Sequence, residues 1–433
     1  MNNRVDRRNF LKSTAVTAAA TVAAPSVMGR RVLGANDTVR VAVLGVNGRG
    51  RDHIRGLMGV DKVEIVTLCD PDKELLAKRA AEFEEKYGKK VHMEQDLRKV
   101  FDDPNIDAVT VATPNHWHAL ATIWACQAGK DVYVEKPGCH NIWEGRKMVE
   151  AAKKYDRIVQ HGVQLRSSPA IQEAIQHLRS GLIGKVYMAR GLVFRWRADI
   201  GKKPLEPAPD YLDYDLWLGP AQERPFSRNF VHYNWHWHWD FGNGDVGNQG
   251  IHETDLCMWG LDVGLPEKIT AMGGKFLWDD AKETPEVLTS SYLYPSEGKM
   301  IEFEVRPWCT NLEDGAGVGN IFYGTDGYLV VNGYGKYETF LGQQREPGPA
   351  REEEGDHYAN FIEAVRKHDT SIQNGPVESA HLSSSLAHLG NIAFRLGRVL
   401  EFDPTSERFK NDAEADAMLT REYRAPYVVP AKV

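Results

Sequence analysis

"TVRVAVLGVNGRG", residues 38–50, decides how this chain is read. The run from Val39 to Val46 is almost continuously apolar, as a strand buried on both faces of a parallel sheet must be. Glycines follow at 45, 48 and 50, and then a helical pattern begins. The dinucleotide fingerprint G-x-G-x-x-G falls on Gly45, Asn47 and Gly50, with Asn47 in place of the middle glycine. Asparagine tolerates left-handed backbone better than most residues, and Gly48 adds freedom beside it. The loop Gly45, Asn47, Gly48, Arg49, Gly50 then presents a helix N-terminus, with unpaired N–H groups and a favourable dipole, to a pyrophosphate.

The next segments repeat the plan. "VEIVTLCD" (63–70) is a second apolar strand, and it ends on Asp70, twenty residues beyond Gly50. An acid at that place accepts hydrogen bonds from the adenosine ribose. It repels a 2′-phosphate, so NAD is expected; Arg49, Arg51 and Lys73 keep NADP open. "LLAKRAAEFEEKY" (75–87) is an amphipathic helix, "DAVTVATP" (107–114) a strand and "WHALATIWACQAG" (117–129) a helix. "DVYVEKP" (131–137) is a strand and "WEGRKMVEAAKKY" (143–155) a helix. Such alternation predicts a doubly wound parallel sheet. Ligands of these sheets lie beyond the strand C-termini. Asn47, Asp70, the segment Thr113, Pro114, Asn115 to His118, and Glu135 with Lys136 should therefore meet in one crevice.

From about Gln160 the pattern changes. "GKVYMARGLVFRW", "EKITAMGGKFLW", "LTSSYLYP" and "KMIEFEVRPW" alternate as strands with one buried face do. "GKKPLEPAPDYLDYDLW" (201–217) reads as a long loop able to cover the site or meet a second subunit, and "GQQREPGPAREEEGD" (342–356) as another loop. "HLSSSLAHLGNIAFRLGRVL" (381–400) reads as a helix returning to the domain junction. The expected division is a signal segment 1–35, a nucleotide domain 36–159 and an α+β domain 160–433.

The first residues read as an export address. "RRNFLK" (7–12) precedes the short, alanine-rich run "STAVTAAATVAAPSVMG" (13–29), which resembles a twin-arginine signal. Cleavage after Ser26 or Ala35 is expected, releasing a soluble periplasmic or otherwise extracytoplasmic protein with no stable membrane insertion. The net charge of −7 and the lack of a later basic run argue against a nucleic-acid partner. Five scattered cysteines without a CxxC pair imply neither a zinc ribbon nor a disulfide framework.

"YNWHWHWDFGNGDVGNQGIHETD" (233–255) is the densest polar–aromatic stretch. If Trp235 to Asp240 is extended, its tryptophans share one face, and His236, His238 and Asp240 the other. Metal binding by the polar face, a sugar-stacking wall and a core strand are the three readings. The sugar wall is favoured because the stretch leads into His252, and no metal is expected. Asn248, His252 and Asp255, spaced four and three apart, would share one face of a helix. Gln164, Arg166, Arg195 and Trp196 follow strand-like runs and are further pocket candidates, although ion pairs explain the arginines equally well.

"GVNGRG", "ATPNHWH", "VYVEKP" and "NQGIHETD", in this order, resemble the Gfo/Idh/MocA family of glucose–fructose oxidoreductases and inositol dehydrogenases. "YGTDGYLVV", "HYANFIEAVR" and "NIAFRLGRVLEFD" extend the likeness to the C-terminal half. The resemblance implies an NAD(P) oxidoreductase acting mainly on sugars and polyols, whose second domain is a large, mostly antiparallel open sheet; a homo-oligomer is expected. It implies a catalytic lysine at Lys136, with Pro137 in the cis form, and a catalytic histidine at His252. The family often has aspartate four residues before that histidine; here Asn248 stands there and cannot take a proton, while Asp255 is retained. Three functions follow: oxidation of a secondary hydroxyl on a tightly held, recycled cofactor; glycoside cleavage by oxidation, elimination, hydration and reduction; and non-catalytic binding of nucleotide and sugar.

Overall fold

The computed structural model describes residues 37–433; the signal segment and its cleavage positions lie outside the described residues. The opening stretch forms β1 (Val39–Leu44) and α1 (Gly48–Leu57). They are followed by β2 (Val63–Cys69), α2 (Lys73–Tyr87), β3 (His92–Glu94) and α3 (Leu97–Asp102). Next come β4 (Ala108–Val111), α4 (Asn115–Gln127), β5 (Asp131–Val134), α5 (Ile142–Lys154) and β6 (Val159–His161). The six strands are parallel, in the order β3-β2-β1-β4-β5-β6. This is the doubly wound dinucleotide-binding order, with its switch point between β1 and β4. Strands β4 and β5 are buried at every position, which is why they read as unbroken apolar runs. Strand β6 carries this sheet as far as His161.

The second half contributes α6 (Pro169–Ser180), β7 (Val186–Val193), α7 (Tyr214–Leu218), α8 (Gly244–Asn248) and α9 (Ile251–Leu261). Strands β8 (Lys268–Gly274), β9 (Val287–Tyr294), β10 (Lys299–Val305), β11 (Val318–Gly324), β12 (Gly327–Asn332), β13 (Lys336–Leu341) and β14 (Glu346–Glu352) follow. Helices α10 (His357–Lys367) and α11 (Val377–Leu396) precede β15 (Leu400–Asp403) and β16 (Arg408–Phe409). These strands make a ten-stranded sheet, β14-β13-β12-β11-β7-β10-β9-β8-β15-β16. Only β7 and β10 pair in parallel. Alternate residues of β9 are fully buried, as expected of a sheet covered on one face; α9 and α11 supply the cover.

The segment 342–356, read as a loop, contains the edge strand β14, with Pro347 opposite Phe340. An edge strand has one side that needs no ladder donor, so proline is tolerated there. Helix α11 returns to the junction as expected, between α5 and the second sheet. Helix α10 goes further and packs Phe361, Ile362 and Val365 onto the β1–β2 side of the first sheet. Among the described residues no helix is long and apolar enough to cross a membrane.

Candidate active site

The β1–α1 turn is built by its glycines. Gly45 has φ +82°, and a Cβ on it would lie 2.6 Å from the Ala112 carbonyl oxygen at the end of β4. Gly48 also takes a positive φ, with open space around it. Asn47, by contrast, is extended (φ −85°), so its tolerance of left-handed backbone is not used. Its side chain does not cap α1, and the first turn holds no acid. Gly50 N donates to Asn47 O (2.7 Å), and no side chain caps the N–H groups of Gly48 and Arg49, which are left for an anion. Asp70, at the end of β2, accepts from Val46 N (3.0 Å) and Asp72 N (3.1 Å). These bonds fix its carboxylate beside the loop.

A cavity of about 260 Å³ opens at the switch point. Its lining includes Gly45, Asn47, Gly48, Arg49, Asp70, Thr113, Pro114, Asn115, His118, Glu135, Lys136, Trp235, His236 and Asn248. The strand-end clusters read from the sequence therefore do converge. Further lining residues include Pro71, Gln95, Leu97, Leu216, Trp217, His232 and Tyr233, none of them assigned a site role from the sequence. The last four belong to the 199–236 excursion, whose Pro/Asp-rich part had signalled a covering loop. That excursion is clasped to the nucleotide half: Lys73 N donates to Tyr211 O (2.9 Å), and His232 Nε2 meets Asp72 Oδ2 at 3.0 Å.

Glu135 is an anionic hub. Its Oε1 accepts from Arg49 Nε (2.7 Å), His53 Nε2 (3.1 Å) and Gln164 Nε2 (3.2 Å). Burial opposes its charge, but Arg49, His53 and Lys136 outweigh that and hold its pKa well below the usual carboxylate range. Arg49 is thereby held at Glu135 rather than left beside the ribose acid, which removes one of the cations that kept NADP open.

Lys136 follows, joined to Pro137 by a cis peptide bond. Its ammonium donates to the Asn248 main-chain oxygen and lies 3.4 Å from Asn248 Oδ1, bridging the two halves. Burial lowers its pKa to about 8, with Glu135 pulling the other way. His118 aims Nδ1 at Pro137 O (2.6 Å) and Nε2 at Thr113 O (2.7 Å). Its ring thus braces the two strand-end loops through their carbonyl oxygens while lining the cavity.

His252 is 4 % exposed and does not line the cavity; Tyr334 meets its ring edge-on at 5.2 Å. Its Nδ1 is buried without a hydrogen-bond partner. Burial first, then the Lys136 charge, push its pKa well below 6.5, so the imidazole is neutral across ordinary pH. Asn248 is not on its helix: α8 ends at Asn248 and α9 begins at Ile251, so only His252 and Asp255 share one. Asp255 is occupied by Arg166, which donates Nε (2.7 Å) and Nη2 (2.9 Å) to it. Neither residue, nor Gln164, lines the cavity; they support the wall behind it.

The 235–240 stretch departs most from expectation. Asn234–Trp237 is a 3₁₀ turn, not a strand. Trp235 stacks on His236 at 3.6 Å, while Trp237 lies under Arg197 and Trp239 under Arg395. Each tryptophan meets a different partner, so no shared stacking face forms. His236 Nδ1 bonds Tyr233 O (2.6 Å), His238 Nδ1 lies 3.2 Å from Glu283, and Asp240 pairs with Arg224 outside the cavity. The polar face proposed for a metal is dispersed by the same turn. Trp196 is 57 % exposed, stacked on Trp308, and also outside the cavity.

Residues 39–163 match the profile described as "Oxidoreductase family, NAD-binding Rossmann fold" (GFO_IDH_MocA). Residues 170–281 and 344–429 match that family's C-terminal alpha/beta domain. This chain belongs to the Gfo/Idh/MocA oxidoreductase family. Its first domain is accordingly an NAD-binding Rossmann domain, and residues 4–24 match a twin-arginine translocation signal. Levoglucosan dehydrogenase of Pseudarthrobacter phenanthrenivorans is 36% identical over 105 residues, 24% of this chain and 27% of that protein. A glycosyl hydrolase family 109 protein of Shewanella pealeana is 31% identical over 173 residues, 35% and 38% of the respective chains. The matches thus span between about a quarter and two fifths of these curated relatives' length. The WlbA dehydrogenase of Bordetella pertussis shares the fold, with TM-score 0.64 and 21% identity over 84% of this chain and 99% of that one.

Proposed function

We propose that this family member is an NAD-dependent oxidoreductase acting on a secondary hydroxyl of a sugar, polyol or glycoside. The observation that carries the reading is the meeting, in one cavity, of the uncapped glycine turn with the Lys136 ammonium held against the opposite half. The α1 N-terminus and Asp70 would hold the pyrophosphate and ribose. When bound, the nicotinamide supplies the hydride acceptor. His252, neutral, with an unpaired nitrogen and set just behind the cavity lining, takes the hydroxyl proton through one bridging water. Lys136 stabilises the charge that develops on that oxygen. Asn248 holds the ammonium in place and leaves proton transfer to His252. The curated relative named a levoglucosan dehydrogenase supports a carbohydrate substrate.

The export signal adds a constraint. A periplasmic protein meets no ready pool of NAD, so the dinucleotide must stay bound and be restored at each turnover. A homo-oligomer is the working form expected. Native mass spectrometry of the purified protein reads both features: about one NAD(H) per chain in a multimer is expected. Sugars should then reduce the bound dinucleotide. Protein purified empty, with only weak affinity for added NAD, removes the recycling scheme.

A second reading draws on the glycosyl hydrolase family 109 relative. Oxidation of a ring carbon acidifies the neighbouring C–H, so an aglycone can leave, water can add, and the ketone can be reduced back. Aglycone release with no net NADH distinguishes this from net oxidation.

The pH dependence follows from Lys136. It is charged below its pKa of about 8 and must be charged to stabilise the developing anion, so activity should fall as pH rises through about 8. Glu135 opposes the lowering. Glu135→Gln should therefore move this alkaline limb to lower pH, read from pH–rate profiles of dinucleotide reduction. A limb that stays in place, or activity that rises through about 8, contradicts the charged-lysine role.

A further inference from the structure

Gln249 follows the Lys136 acceptor Asn248 in the chain and is itself 4 % exposed. Both ends of its amide are used. Oε1 accepts from Arg195 Nη1 at 2.9 Å, and Nε2 donates to Tyr334 Oη (3.0 Å) and Glu253 Oε1 (3.2 Å). Arg195 arrives just after β7; Tyr334 arrives from the β12–β13 hairpin and touches His252. Since the Tyr334 oxygen accepts from Gln249, its own proton is left to donate. A guanidinium and a phenol thus hang from one buried amide, next to the groups assigned to the reaction.

The charges around them are uneven. Arg49 is matched by Glu135 at 2.7 Å, Arg166 by Asp255 at 2.7 and 2.9 Å, and Arg197 by Asp245 at 2.8 and 2.6 Å. Arg195 is exposed, and the partner that holds it, Gln249, is neutral. Glu253 is the carboxyl on the far side of that amide. It is 2 % exposed, its Oε2 has no hydrogen-bond partner, and burial raises its pKa to about 8, so it is mostly uncharged at neutral pH. None of Arg195, Tyr334 and Gln249 lines the cavity, so Arg195 is not the pocket residue expected from the sequence; the cluster lies beside it, next to Asn248 and His252, and carries a positive charge that these carboxyls do not answer.

We infer that the substrate bears an anionic substituent, a carboxylate or a sulfate ester, recognised by Arg195 and Tyr334 on the Gln249 amide. The inference rests on the sugar-oxidoreductase reading for its location, and its test is a binding measurement independent of turnover. Calorimetry on the full, NAD-loaded protein compares matched pairs: glucose with glucuronate, galactose with galacturonate, and glucose with glucose 6-sulfate. At least one anionic member should bind about tenfold or more tighter than its neutral partner, as a charge-assisted hydrogen bond provides. The uronate and sulfate arms tell the two anions apart. Salt should shrink the advantage, and Arg195→Gln, a change at an exposed side chain, should bring the ratio close to one. Tyr334→Phe should reduce it severalfold. If no anionic member binds tighter than its neutral partner, or if the preference survives Arg195→Gln, the inference is overturned. A charge preference without any reduction of bound NAD keeps the inference and defeats the oxidoreductase reading instead.

Discussion

Lys136→Ala is expected to lower sugar turnover about a thousandfold while leaving bound NAD in place. Charge stabilisation at a developing oxyanion is worth roughly two to three powers of ten. The ammonium is also the link from β5 to Asn248 in the opposite half, so its loss removes both the charge and the alignment. The α1 N-terminus and Asp70 are untouched, so dinucleotide content measured after denaturation should match that of the unaltered protein. Lys136→Arg should not restore activity, because a planar fork cannot replace a compact ammonium. Single-turnover reduction of the bound dinucleotide is the measurement. A Lys136→Ala protein that retains a tenth or more of the rate would remove this residue from the reaction.

Gly45→Ala should have the second-largest effect, on the fold as well as on the cofactor. The new Cβ would sit 2.6 Å from the Ala112 carbonyl oxygen, and the backbone would have to keep φ +82°. Left-handed strain and overpacking each cost about 1–3 kcal/mol, so a loss of about 3 kcal/mol is expected. The clash lies between the ends of β1 and β4, which is the switch point itself. Bound NAD should fall with stability, read by denaturant unfolding and by dinucleotide content. A loss under about 1 kcal/mol with the cofactor fully retained would show that the turn has slack it is not credited with here.

The first sheet was legible because its information is local. Each strand is a short apolar run, each turn carries its own glycine or proline, and Asp70 and Lys136 stand at strand ends. In a parallel sheet with helical crossovers, all those ends point the same way. Asn47, Asp70, Thr113, Asn115, Glu135 and Lys136 could therefore be placed in one crevice from order and spacing alone. The twin-arginine signal was equally local.

The stretch from Trp235 to Asp240 shows where that logic stops. Its alternation fits a strand, but no neighbouring strand is there to pair with it. The chain instead folds into a 3₁₀ turn over Asn234–Trp237, and Arg197 and Arg395 cover Trp237 and, just beyond the turn, Trp239. The assignment of Asn248, His252 and Asp255 to one helix failed in the same way: the chain passes from α8 to α9 at Gln249 and Gly250. Tyr334, Trp217 and His232 carry no motif, and Gln249 stands inside "NQGIHETD" without any role legible from the sequence. Sequence by itself determined the nucleotide-binding half, the residues at its strand ends and the export address, because periodicity and turn chemistry are properties of neighbours in the chain. Only the tertiary structure decided which charges are cancelled and which aromatic rings reach the cavity, because those depend on partners 48 to 112 residues away in the chain.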